Sequence, residues 1–169
     1  MASEVAAVVN RCESGKESQS LDLSECGLMS VPDAIFHLMR ETTILKCDLS
    51  RNQLKKLPAK VATKFKDIVE FNASNNQLST LRDEFGQLKS LTHLNLSTNN
   101  IEMVPEAIYN MPSLIHLDLC NNNICEFITS KLLEMKSLKI VNLENNPLTS
   151  DCFYLLSNLN DVEVKLSAR

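Results

Sequence analysis

Residues 94–105 read LNLSTNNIEMVP, and residues 117–127 read LDLCNNNICEF, the same phrase one repeat later. That recurrence decides the fold. Working outward, LDLSECGLMSVP (21–32), CDLSRNQLKKLP (47–58), FNASNNQLSTL (71–81) and VNLENNPL (141–148) superpose on it as further copies of LxLxxNxL. The asparagine position falls at Cys26, Asn52, Asn76, Asn99, Asn122 and Asn146, with spacings of 26, 24, 23, 23 and 24 residues. Taken alone, HLDLCNNNIC (116–125) looks like a compressed set of nucleophile, base and orienting residues. In phase with the other copies, it is one turn of a repeat.

The pattern has a physical logic of its own. Leu91, Leu94 and Leu96 mark the apolar positions of a short extended segment, so one side points inward and the residues between point out. Stacked copies then form a parallel sheet. At the turn beyond each strand, a buried Asn amide both donates to and accepts from the backbone, which removes the cost of unpaired polar groups there. Asn52, Asn76, Asn99, Asn122 and Asn146 are expected to form this ladder, with Cys26 standing in its first place as a small buried hydrophobe. Cys47, at an inward Leu position, is read in the same way. Leu-Pro and Val-Pro then end extended pairing. PDAIFHLMRE, PAKVATKF and SKLLEMKSL return the chain along a convex side with helical or 3₁₀-like spacing.

The repeat LxxLxLxxNxLxxLPxxhxxLxx, where h is apolar, resembles the leucine-rich-repeat family over about residues 18–148. More narrowly, VVNRCESGKESQSLDLSECGLMSVPDAI and the longer second repeat ending LKKLPAKVATKF are similar to a small intracellular member. The resemblance implies an α/β fold: a right-handed solenoid with a curved parallel sheet on the concave face and short helices or 3₁₀ turns on the convex face. It brings no activity with it.

The whole chain of 169 residues reads as one domain. Residues 1–17 are an N-terminal cap, 18–148 six repeats, and 149–169 a C-terminal cap with a half repeat. In the first cap, Ser3 is the expected helix cap, and Val5, Val8, Val9 and Cys12 form an apolar side over residues 3–13. Gly15-Lys16-Glu17-Ser18 reads as a turn. At the other end Ser150 is expected to cap a helix over SDCFYLLSNL, and LNDVEVKL supplies the half repeat with Val162 and Val164 inward.

A net charge of −4 gives no general reason for binding nucleic acid or anionic membranes. The charges divide unevenly: residues 1–70 balance ten basic against ten acidic, while 71–169 hold seven against eleven. With no secretory signal, no long apolar run and six cysteines without a CxxC pair, a cytoplasmic or nuclear protein with reduced thiols is expected. The sequons Asn72-Ala-Ser74 and Asn95-Leu-Ser97 would matter only outside those compartments.

Function is expected on the concave sheet. One outward column reads Ser20, Lys46, Glu70, His93, His116, Ile140, Asp161, and the next reads Asp22, Asp48, Asn72, Asn95, Asp118, Asn142, Glu163. A third reads Ser24, Ser50, Ser74, Ser97, Cys120, Glu144, Lys165. Such a face spans about 30 Å, enough for a peptide or helix of a partner. Its chemistry is mild, because Asp, Asn and Ser dominate and only Arg51 belongs to the usual anchors. Partner contacts are assigned to Lys46, Asp48, Arg51, Glu70, Asn72, His93, Asn95, His116, Asp118 and Asn121. A noncatalytic adaptor or scaffold that binds a protein partner, works as a monomer and needs no cofactor is the leading expectation.

Three alternatives compete with this reading. Glu70, His93 and His116 are the ligand types of some metal sites, but the outer two lie about 9.6 Å apart at the backbone, and three solvated side chains explain them as well. Lys55, Lys56, Lys60, Lys64 and Lys66 in KKLPAKVATKFK could contact an acidic lipid, RNA or acidic protein, or could serve solubility. A Cys120 nucleophile would need a base within about 3 Å, whereas His116 lies about 13 Å away along an extended strand.

Overall fold

The structure is a computed structural model that describes the backbone of residues 2–167 and the side chains of residues 6–167. Its sheet comprises β1 (Ser20–Asp22), β2 (Lys46–Asp48), β3 (Glu70–Asn72), β4 (His93–Asn95), β5 (His116–Asp118), β6 (Ile140–Asn142) and β7 (Glu163–Lys165), parallel and in sequence order. The first six follow from the repeat. Leu21, Cys47, Phe71, Leu94, Leu117 and Val141 occupy the middle of each strand, pair in register and are buried. Each large apolar side chain so buried contributes roughly 1.5–3 kcal/mol.

The strands stop after three residues because the next residues turn by design. Oδ1 of Asp22, Asp48, Asn72, Asn95, Asp118 and Asn142 accepts a hydrogen bond from the backbone N–H two residues on, at 2.8–3.1 Å. Such local bonds compete with continued sheet pairing. Glu25, Arg51, Asn75, Thr98, Asn121 and Asn145 follow in the left-handed region, with φ of 53–56°. The ladder residue comes next and points inward.

Each rung joins two repeats. Asn99 Nδ2 donates to the carbonyls of Ala73, Leu96 and Ser97 at 3.0–3.2 Å, and its Oδ1 accepts from Leu78 N at 2.9 Å. Asn52, Asn76 and Asn122 repeat this arrangement and are likewise buried; Asn146 repeats it half-exposed. Cys26 has only the cap helix before it, and therefore no preceding strand carbonyl for an amide to reach. Its own N–H is satisfied by Asn52 Oδ1 at 3.1 Å.

On the convex side run α2 (Asp33–Leu38), α3 (Ala59–Lys64), a 3₁₀ turn (Asp83–Gln87), α4 (Glu106–Tyr109) and α5 (Thr129–Glu134). Pro32, Pro58 and Pro105 stand at the entries of α2, α3 and α4 in extended conformation, which fits proline's fixed φ and missing donor. Phe71 replaces a leucine in its strand and packs on Phe85 at 5.9 Å between ring centres.

The caps depart from expectation in four details. The N-terminal helix α1 runs from Ala2 to Ser18, so Gly15–Ser18 is helix and not a turn. Gly15 is buried against β1, where a Cβ would lie 3.0 Å from the Ser20 carbonyl oxygen. This glycine serves close approach. Val8 and Cys12 are buried but Val9 is exposed, since successive helix positions turn by about 100°. Ser3 and Val5 lie outside the described side chains. At the other end α6 (Ser150–Ser157) is capped by Thr149, whose Oγ1 accepts from Cys152 N, and not by Ser150. Finally, β7 pairs Ile140 with Glu163 and Asn142 with Lys165, two residues off the expected register. A slip of two keeps the same face outward, so alternation alone does not distinguish the registers.

Candidate functional site

The concave columns converge on a groove of about 630 Å³. Its first column reads Ser20, Lys46, Glu70, His93, His116, Ile140 and Glu163. Parallel pairing brings neighbours in this column together. Lys46 Nζ meets Glu70 Oε1 at 2.9 Å. The His93 and His116 rings meet edge to face, with centres 4.5 Å apart, and the Thr92 hydroxyl lies 2.8 Å from His93 Nδ1. Both imidazoles are exposed.

The second column has a different character. Asp48, Asn72, Asn95 and Asp118 spend one oxygen on the turn that ends each strand, and Asn72 Nδ2 donates to the second Asp48 oxygen at 3.0 Å. Asp22 is held from another side: Arg11 Nη1 reaches its Oδ1 at 3.1 Å and the Ser24 carbonyl at 2.8 Å, tying α1 to β1. Partial burial works against the Asp22 carboxylate, but the Ser24 hydroxyl and amide together with Arg11 outweigh it, and its pKa lies below the ordinary value. Nothing in the repeat signals Arg11.

The serines in the middle of the third column do not face a partner. Ser50, Ser74 and Ser97 are buried, because the chain has already turned from the sheet when it reaches them. Cys120 is half-buried there, beyond the end of β5. Burial, followed by the neighbouring Asp118 carboxylate, pushes its thiol up to about 11, so it is protonated at neutral pH. Burial raises the Cys47 thiol further still.

Arg51 and Asn121 belong to the left-handed turn row beyond the strand ends, outside the residues that line the groove. Arg51 Nη1 bonds Glu25 Oε1, while Asn121 accepts from Asn145 Nδ2 at 3.0 Å. This row was missed in the sequence although a signal existed: Asn75, Asn121 and Asn145 each precede a ladder Asn, and Asn is the residue after Gly that best tolerates this conformation. Among the described residues no three His, Cys, Asp or Glu side chains are grouped so as to hold a metal ion. Nor is any described helix long and apolar enough to cross a membrane.

On the convex side Lys55, Lys56, Lys60, Lys64 and Lys66 are all exposed. Lys60 pairs with Asp33 at 2.8 Å and lies over the Phe36 ring. A cleft of about 350 Å³ between α2 and α3 is lined by His37, Arg40, Lys60 and Lys64 above Phe36 and Phe65.

Comparison with known proteins agrees with this architecture. Two leucine-rich-repeat family models match residues 45–101 and 113–135. Leucine-rich repeat-containing protein 20 of Mus musculus is 49% identical over 150 residues, which cover 87% of this chain and 80% of that protein. Its Homo sapiens counterpart is 38% identical over 90 residues, covering 52% of this chain and 48% of that protein. Among solved structures, a chain of the TLR13–ssRNA13 complex superposes with a TM-score of 0.73 at 24% identity, over 88% of this chain and 21% of that one. A plant peptide hormone receptor in complex with RGF2 gives 0.65 at 23%, over 87% and 24%. A leucine-rich-repeat protein of Leptospira interrogans gives 0.61 at 21%, over 94% and 52%. These three likenesses concern the fold. On its repeats, its sheet and its identity to the mouse protein, the chain belongs to the leucine-rich-repeat family, as a relative of leucine-rich repeat-containing protein 20.

Proposed function

We propose that this chain is a noncatalytic adaptor that binds a protein partner on its concave sheet. Leucine-rich-repeat proteins are commonly protein-interaction modules, which supports the class. The observation that carries the assignment to this face is the file of Lys46, Glu70, His93 and His116 along the middle of the groove. They are solvent-facing side chains with no part in the turns that build the sheet. Asn95 and Asp118 offer their remaining polar atoms beside that file, Asp48 and Asn72 present a pair already bonded to each other, and Arg51 and Asn121 lie beyond the strand ends. An edge-to-face imidazole pair gives a partner an amphipathic contact of low conformational entropy, one ring presenting its face and the other its edge.

Affinity capture with wild type beside an Arg51→Glu, His93→Ala, His116→Ala variant tests the proposal. Proteins retained by wild type and lost from the equally folded variant are the expected result. Identical capture by both moves function off the concave face. The convex Lys55–Lys66 cluster then becomes the second reading, as a site for an acidic protein, lipid or RNA, favoured by its five exposed lysines; Lys60, which is paired with Asp33, and Lys64 line the α2–α3 cleft beside His37 and Arg40. Binding there falls steeply with salt; flat salt dependence removes it.

A further inference from the structure

The last strand carries the materials for pairing with itself. Within β7, Glu163 N donates to the Lys139 carbonyl at 2.8 Å, and the Lys165 carbonyl accepts from Leu143 N at 2.9 Å. Alternate residues of an extended strand turn their backbone polar groups to opposite edges. The N–H and C=O of Val164 therefore face away from β6, and among the described residues no strand pairs with that edge. An open edge of this kind is a template for another strand.

We infer that this edge is an interaction surface for a second copy of the chain, joined in antiparallel fashion about a two-fold axis at Val164. The axis places Val164 opposite its own mate as a hydrogen-bonded pair, so the two residues exchange both N–H to O=C bonds. The flanking positions then set Glu163 of each copy opposite Lys165 of the other. Those are the closer, non-hydrogen-bonded pairs of an antiparallel ladder, about 4.5 Å apart at Cα. Both side chains are exposed on the same face of the sheet, so each copy's acid meets the other copy's base.

This self-complementarity is what distinguishes β7 from a guarded edge. A lone edge lysine deters pairing, because two copies bring like charges together. A glutamate two residues before it removes that deterrent in one register and one orientation only. At the edge itself Val164, and Leu166 just beyond the strand, are half-buried, which leaves apolar surface beside the open backbone groups. The resulting dimer would continue one sheet across two copies and present a concave face twice as long. It depends on neither reading of the partner-binding face.

Sedimentation velocity on the 169-residue chain over a range of concentrations at low salt tests this arrangement. A monomer–dimer equilibrium is expected. Glu163→Lys alone, or Lys165→Glu alone, weakens it by about tenfold or more, since both symmetry-related pairs turn repulsive. Mixing these two variants in equal amounts restores a dimer, because each lysine then faces a glutamate, and so does the double exchange within one chain. Slower exchange of the Val164 amide at high concentration accompanies dimer formation. A wild type that stays monomeric throughout, a dimer indifferent to either single exchange, or a mixture no stronger than its parts overturns the proposal. Circular dichroism and melting of each variant establish that these exposed substitutions leave the fold intact.

Discussion

At the scale of single residues, the chain is organised by three side chains at the ends of β2 to β6. The Asp or Asn that closes the strand, the left-handed residue and the ladder Asn act within five residues of one another. Removing a ladder amide orphans backbone groups on two repeats at once. Asn99→Ala is expected to destabilise the protein by about 1–3 kcal/mol in urea unfolding, because the carbonyls and the Leu78 amide left without their partner are out of water. Asn146→Ala should cost less, since water reaches that half-exposed rung. Equal losses at the two sites would contradict the burial argument. Thr98 is the strained member of the turn row, a β-branched residue at φ 55°. Thr98→Asn is expected to stabilise by about 1 kcal/mol, read as a higher unfolding midpoint at unchanged slope.

Among the elements, α1 shows how a cap is docked. Gly15 brings the helix against Ser20, and Arg11 reaches over the end of β1 to Asp22 and Ser24. On an isolated helix Gly→Ala is favourable by about 1 kcal/mol. Here the added methyl meets a backbone oxygen at 3.0 Å, so Gly15→Ala is expected to destabilise by about 1–3 kcal/mol through displacement of the cap. A stabilised Gly15→Ala protein in a thermal melt would show that α1 is not held at this distance. The sign for Asp22 follows from its lowered pKa. Its share of docking is present above the ordinary carboxylate range and is lost as pH falls through the folded value.

At the scale of the molecule, stability is the sum of neighbour contacts along a stack. The rungs at Asn76, Asn99 and Asn122 each tie their own repeat to the preceding one, so an interior repeat is held from both sides, whereas among the described residues the terminal units have a neighbour on one side only. Native-state hydrogen exchange should therefore be slowest in β3, β4 and β5 and fastest in α1 and α6. Uniform protection from end to end would imply one cooperative block in place of a stack.

The sequence by itself determined the solenoid, the strand centres and the ladder, because each depends on a local pattern copied in phase, and repetition multiplies a weak local signal. It also placed Lys46, Glu70, His93 and His116 in one column, since register between identical repeats follows from the repeat. It did not place β7, whose half repeat lacks an Asn to anchor the register, or recognise Gly15 as helical, because a glycine required for close approach reads like one required for a turn. Only the tertiary structure decided that the serine column is buried, that Asp48, Asn72, Asn95 and Asp118 spend an oxygen on the backbone, and that Cys120 is held as a neutral thiol. Those outcomes depend on where the chain leaves the plane of the sheet and on which carbonyls and carboxylates the adjoining repeats bring near, quantities set by packing between segments and written in no single one of them.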